Sequence, residues 1–307
     1  TSADALLSGT DNVAIGRLSF SASTDGADNI AIGRSALAVS GNDADCNIAI
    51  GIFAMGGTDV SGAGNIAIGS TAMDALTSGP KNIAIGESAF SAGTTGCQNV
   101  AIGCIAMGTG VTTGSDNVGV GTRSAEDLTG GLNNVAIGVD ALANSTTGCN
   151  NVGIGNQALG GAATVGVSNV AIGNATMDAL TTGDTNIAMG TSAMGRATTA
   201  CQNVGIGQSA LNGASMSGKH NVALGTAAAD AVTTGCDNIA IGRDSYGVAA
   251  TGCKNIAIGN QAMGASAVTG NDNIALGTDS ADALTSGIHN IAIGQNALGQ
   301  ATTGCHN

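Results

Sequence analysis

Asn134-Val135-Ala136-Ile137-Gly138-Val139-Asp140-Ala141-Leu142-Ala143-Asn144-Ser145-Thr146-Thr147-Gly148-Cys149-Asn150 is one period of this chain, and at Asn151 the pattern begins again. Its opening motif, Asn-(Val/Ile)-(Ala/Gly)-(Ile/Val/Leu/Met)-Gly, starts at Asn12, Asn29, Asn47, Asn65, Asn82, Asn99, Asn117, Asn134, Asn151, Asn169, Asn186, Asn203, Asn221, Asn238, Asn255, Asn273 and Asn290. Asn307 would start another, and successive steps are 17 or 18 residues. A fixed period of this kind marks a repeat architecture, in which each repeat buries its apolar side against its neighbours. From Asn47 onward the steps run 18, 17, 17 and repeat, so three coils make a 52-residue unit. Asp4 and Asp74 are 70 apart, one such unit plus an extra 18-residue coil.

Val or Ile alternates with Ala or Gly inside the motif, the period-two pattern of a half-buried strand, and β-branched residues suit a pleated surface. The second branched residue, Ile172 for instance, is expected inside a thin core, where an Asp would be buried without a partner. Seven residues after each Asn stands Ala, Ser or Thr176, and next usually a large apolar side chain such as Phe20, Met73, Phe90 or Leu142. Where that position shrinks to Ala125, Ala229 or Ala281, Leu128, Val232 or Leu284 follows three residues on, which keeps the volume constant. A helix is excluded by the recurrent Gly at the fifth motif position, each costing about 1 kcal/mol in a helix interior. Gly and Asn at fixed offsets are expected to mark the corners. The fold expected is all-β: a parallel β-solenoid, or β-roll, of 17–18-residue coils with a 52-residue superrepeat, running through 1–307 as one continuous domain and forming a segment of a longer chain. The stacked Asn column, Asn65, Asn82, Asn99, Asn117, Asn134, Asn151, Asn169, Asn186 and Asn203, should form an amide ladder.

Composition narrows the function classes. Gly is 51 of 307 residues, aromatics are 1% and Trp is absent, so an aromatic-lined pocket is not expected. Hydrophobic residues at 43% with charged residues at 9% exclude a disordered chain. The net charge is −13 and the eight basic residues are scattered, which argues against nucleic acid as a partner. No run of 18 apolar residues suggests membrane insertion.

Several local signals have a plainer reading. Gly153 to Ala158 and Gly205 to Ala210 match G-x-G-x-x-A, but each falls on an ordinary coil rather than in a βαβ unit. His220, His289 and His306 have no recurring Ser or Asp beside them, so no enzyme is expected, and no cofactor or metal. Asp74, Glu126, Asp178, Asp230 and Asp282 recur every 52 residues; three coils separate them, about 14 Å, too far to share one ion. They are expected to be a solvated column or a contact with a neighbouring chain. Paired threonines such as Thr94 with Thr95, and Thr181 with Thr182, raise an ice-binding array, though Ser78 and Ala250 interrupt it. Asn144-Ser145-Thr146 and Asn174-Ala175-Thr176 fit the glycosylation pattern.

The cysteines follow the register. Cys97, Cys149, Cys201, Cys253 and Cys305 are 52 apart. At about 14 Å they cannot pair with one another within a straight stack, which leaves Cys97, Cys149, Cys201 and Cys305 as candidates for interchain contacts. Cys236 and Cys253 stand two residues before Asn238 and Asn255, in the same place on adjacent coils about 4.8 Å apart. They form either a bridge or two free thiols.

Asn-Val-Ala-Ile-Gly with its following small-apolar pair and Thr-Thr-Gly turn, as from Asn134 to Gly148, resembles the head repeats of trimeric autotransporter adhesins and related bacteriophage tail-fibre repeats. The resemblance covers essentially the whole chain. It implies left-handed winding, a parallel homotrimer, and a structural fibre or adhesin shaft on a cell surface or virion. The implied partners are further copies of the chain and a host-surface receptor or neighbouring filament. Another self-assembling extracellular filament and an ice-binding solenoid are the alternatives.

Overall fold

The computed structural model describes residue 3 and residues 8–40, 44–249 and 251–307. Asp4 and Ala250 lie outside them. The chain divides into two compact units, Thr1–Gly153 and Ile154–Asn307. Both are parallel β-solenoids.

The first unit holds β1 (Val13–Ile15), β2 (Ile30–Ile32), β3 (Ile48–Ile50), β4 (Ile66–Ile68), β5 (Ile83–Ile85), β6 (Val100–Ile102), β7 (Val118–Val120) and β8 (Val135–Ile137). β9 (Val152–Ile154) crosses the division. The second holds β10 (Val170–Ile172), β11 (Ile187–Met189), β12 (Val204–Ile206), β13 (Val222–Leu224), β14 (Ile239–Ile241), β15 (Ile256–Ile258), β16 (Ile274–Leu276) and β17 (Ile291–Ile293). Within each unit consecutive strands pair in parallel without slippage, as Val118 with Val135 and Ile187 with Val204. Among the described residues no helix is long and apolar enough to cross a membrane.

Each strand is three residues long because the backbone leaves extended geometry on both sides. At its end stands a glycine such as Gly121 (φ 132), and a Cβ there would lie 2.5 Å from the carbonyl oxygen of Gly138 on the next coil. The stacked glycines therefore need both a positive φ and an absent side chain. The other corners differ from expectation. The ladder asparagines are not in the left-handed region; the residues just before them are, as Asp116 (φ 61) and Asn133 (φ 57). Arg123 (φ 53) and Ala125 (φ 50) add two more left-handed residues to the same coil. Their amides explain this: Arg123 N–H donates to Cys104 O, Ala125 N–H to Ala141 O and Asn133 N–H to Ser115 O, all on adjacent coils. Left-handed geometry swings each N–H along the stack.

The core is made of small residues with one large filler per coil. Ala136 and Ala141 are fully buried, as is Leu142. A Cβ built on Gly119, the middle residue of β7, would sit 3.1 Å from both Met107 Cε and Ser124 Oγ, so a methyl group nearly fills the space available. Ser124 is tolerated inside because its hydroxyl donates to Gly121 O at 3.1 Å. Filler placement follows coil type. Leu76, Leu128, Leu180, Val232 and Leu284 are all buried, beside Met73 and Met177 as well as beside the three alanines. The coils of Phe90 and Tyr246 carry Gly93 and Ala249 at that place, and a Cβ on Gly93 would strike the Phe90 ring. The 18-residue coils use Val60, Thr112, Thr164, Met216 and Val268 instead.

This packing overturns the expected orientation of the strand. Ala171 is fully buried, whereas Ile172 is half-buried on the outer face. Alternation fixes only that the two residue types face opposite ways. The coil is too thin to admit branched side chains in front of its filler, so the alanine turns in and Val170 and Ile172 turn out.

Candidate interaction surface

Two ladders run along each unit, one residue apart in sequence. The inner one is made of asparagine amides. In the first unit, Asn99 Oδ1 accepts from both the backbone N–H and Nδ2 of Asn117, each at 3.0 Å, and Asn117 Nδ2 also donates to Gly131 O at 2.8 Å. Asn134 and Asn151 continue it, and Asn65 and Asn82 precede it in the same manner. In the second unit Asn169, Asn186 and Asn203 repeat the geometry, with Asn186 Nδ2 donating to Ala200 O at 2.7 Å. These side chains are buried, so each oxygen and amide hydrogen must find such a partner. Tyr246 joins from the core: its hydroxyl accepts from Asn255 Nδ2 at 2.8 Å, and burial pushes its pKa up.

The outer ladder consists of the Val and Ile side chains, with Met189, Leu224 and Leu276, that flank the central Ala or Gly of each strand. They are shielded only by their own column neighbours on adjacent coils, and Ile137 and Ile206 stay 40% and 38% exposed. Two apolar columns thus run down the strand face of either unit, and among the described residues nothing covers them. Contiguous apolar surface of this kind marks interaction sites in soluble proteins.

Other columns are occupied locally. In the second unit Asp282 Oδ1 accepts the N–H of Ala265 on the preceding coil at 2.9 Å. Burial raises the carboxyls of Asp74 and Asp178, opposed by the amides of Gly57 and Gly161, and one buried oxygen of each has no hydrogen-bond partner. Asp230 is raised by burial and then by the charge of Asp244, and Glu126 by burial and then Asp127. Burial of the acids against the preceding coil, rather than full solvation, is what distinguishes this column. Thr77, Thr129, Thr181 and Thr285 donate their hydroxyls to the carbonyls of Thr94, Thr146, Thr198 and Thr302 at 2.9–3.0 Å. Arg123 makes an exposed two-pronged pair with Asp140 at 2.6 and 2.9 Å.

The chemistry-bearing residues do not converge. His220 is held between Gln202 Oε1 (2.7 Å from Nε2) and Asp237 Oδ1 (3.2 Å from Nδ1). His289 stacks on His306 with ring centres 4.8 Å apart. Among the described residues no group of three or more His, Cys, Asp or Glu side chains could hold a metal ion. Gly205 and Gly207 belong to β12 and its glycine corner, with no helix behind them.

The position two residues before each Asn has a role that sequence reading missed. In several coils its N–H points along the stack and takes an acceptor offered by the next coil, whereas Pro80 has no N–H to give. Ala27 N–H meets Asp45 Oδ1 at 2.8 Å, Cys97 N–H meets Ser115 Oγ at 3.2 Å, Leu132 N–H meets Cys149 Sγ at 3.4 Å and Val167 N–H meets Asp184 Oδ1 at 2.7 Å. Cys149, Cys201 and Cys305 turn their thiols onto the carbonyls of Thr147, Thr199 and Thr303. All eight cysteines are free thiols. Asp, Ser, Cys and Asn all serve as acceptors, and Ala27, Leu132 and Val167 share the column without one, so residue identity hides it.

No protein-family model matches the chain, and no curated protein matches its sequence.

Proposed function

We propose that the chain is a non-catalytic structural segment of an extracellular or virion-surface fibre, assembled as a parallel homotrimer through its outward Val and Ile columns. The carrying observation is that from β2 to β17 each strand turns its small residue into the core and presents apolar side chains outward, branched ones except at Met189. Covering the exposed half of one such side chain contributes about 1 kcal/mol. Eight strands in a unit therefore offer on the order of 10 kcal/mol, comparable with the roughly 4–15 kcal/mol that association costs in lost freedom. Strict 17–18-residue repetition suits a partner with the same repeat, and a second copy supplies one. The resemblance to adhesin-head and tail-fibre repeats supports the same reading and selects three copies. The acidic charge keeps such fibres apart from one another while the apolar columns bind within each. An ice-binding role fits less well, since Ser78 and Ala250 interrupt the threonine pairs and Thr181, a member of one pair, already donates its hydroxyl to a carbonyl.

Analytical ultracentrifugation of the full chain at micromolar concentration tests this. Trimer mass is expected, and Ile85→Ser, Ile102→Ser and Ile137→Ser together should give a folded monomer. Monomer mass for the unaltered chain rejects the proposal, and a concentration-dependent series of larger species points to an open-ended filament instead.

A further inference from the structure

The position two residues before the asparagine brings consecutive side chains of the stack into contact, as Cys97 Sγ and Ser115 Oγ at 3.1 Å in the first unit. In the second unit it brings two thiols together. Cys236 Sγ lies 2.6 Å from Cys253 Sγ, and the N–H of Cys236 donates to the same sulfur at 3.2 Å. The N–H of Cys253 is in turn held by Asn271 Oδ1 at 2.7 Å, so the backbone on both coils is fixed. A hollow of about 370 Å3 opens beside the pair, lined by Ser217, Lys219, His220, Thr234, Cys236 and Asp237. Lys219 and Asp237 place one positive and one negative charge there, and Cys236 lines it while Cys253 does not.

We propose that Cys236 and Cys253 form a covalent cross-link between the coils of β13 and β14, made by exchange with a small peptide disulfide that reaches the pair from solvent. One cysteine thiolate attacks the peptide disulfide RSSR, giving a protein–SR mixed disulfide and releasing RS⁻. The second cysteine, its proton passed to solvent, displaces the remaining RS⁻ and closes the Cys236–Cys253 bond. Two protein thiols are oxidised by two electrons, and one RSSR becomes two RSH. The hydrogen bond to Cys253 pushes the Cys236 thiol up to about 12, so Cys236 holds its proton until the mixed disulfide forms and takes the second role. The other cysteines of this column in the second unit have Lys219 and Ile288 next to them where Cys236 has Cys253, so the modification is confined to one place on the stack.

The test is incubation of the full chain with oxidised glutathione, alkylation of remaining thiols, and non-reducing peptide mapping. A linked Cys236–Cys253 peptide is expected, in a chain lighter by two hydrogens. The thermal midpoint should rise by several degrees on oxidation, and Cys253→Ser should not show the rise. Ser115→Cys should produce a second link, from Cys97 to the introduced thiol, since it rebuilds the same contact on another coil pair. Both Cys236 and Cys253 recovered alkylated, or a stable glutathione adduct on either, overturns the proposal, as does a link from either one to another chain. None of these readouts depends on how many copies assemble, so a failed trimer leaves this result intact.

Discussion

Asn134 and Val135 adjoin in the chain, yet the columns to which they belong behave oppositely. The asparagine column saturates itself: every amide group in it is bonded to the coil before or the coil after. The valine column saturates nothing and leaves methyl groups facing out. Both repeat at the same spacing, so the difference lies in directionality. A hydrogen-bonding column is completed by its own neighbours along the axis, whereas an apolar column is completed by whatever lies across from it. Under the proposed assembly, stability of the single chain and association between copies rest on adjacent residues and can be altered separately.

The largest effect expected from breaking that contrast comes from moving one charge across β10. Ala171→Asp forces a carboxylate into a methyl-sized space and should cost on the order of 4 kcal/mol or more. Ile172→Asp points outward and should cost at most about 1 kcal/mol of the chain's own stability while weakening association. Urea denaturation at low protein concentration measures both, and equal costs would return Ile172 to the interior. Next comes the inner ladder. Asn186→Leu keeps volume but strands the N–H of Asn203 and the carbonyl of Ala200, while Asn203 Nδ2 keeps its bonds to Cys201 O and Gly218 O, for an expected loss of about 2 kcal/mol. Hydrogen exchange at the Asn203 amide should accelerate in step, and unchanged protection would mean that the amide ladder does not hold the coils together.

The smallest effect is a pH dependence. Asp74, Asp178 and Asp230 have folded pKa values above their ordinary 3.8, chiefly from burial. Between the unfolded and folded values the folded chain binds more protons, so stability falls as pH rises through that interval and is regained on acidification. The thermal midpoint should therefore rise modestly as pH drops from neutral towards 4. Relief of the net charge of −13 acts in the same direction. Replacing the three acids together with Asn separates the two contributions: the part of the slope that disappears belongs to the buried column, and an unchanged slope assigns all of it to net charge.

Much of this was legible in the sequence. The steps of 17 and 18 place the strands and pair Val118 with Val135, and the invariant Asn announces its ladder. The inward face was not legible. A Val-Ala-Ile triplet reads equally well in either orientation, and branched residues normally go inside. Here the space behind Gly119 is already filled by Ser124, five positions on along the same coil, and by Met107 of the preceding coil. Nor could the left-handed corners be read, because Met55, Phe90 and Arg123 are unusual residues for them. Their geometry is imposed by bonds to neighbouring coils and carries no mark of its own in residue type.

Those left-handed residues also bear on how the chain reaches its structure. Three per coil, at about 1–3 kcal/mol each, make a solitary coil an improbable conformation. The carbonyls that reward it, such as Cys104 O and Ala141 O for Arg123 and Ala125, exist only on coils already wound. The slow event is then the first pair of coils. Every later coil is added to a finished template at a nearly constant rate, so folding time should grow linearly with the number of repeats, as in the extension of a crystal face, once a seed has formed.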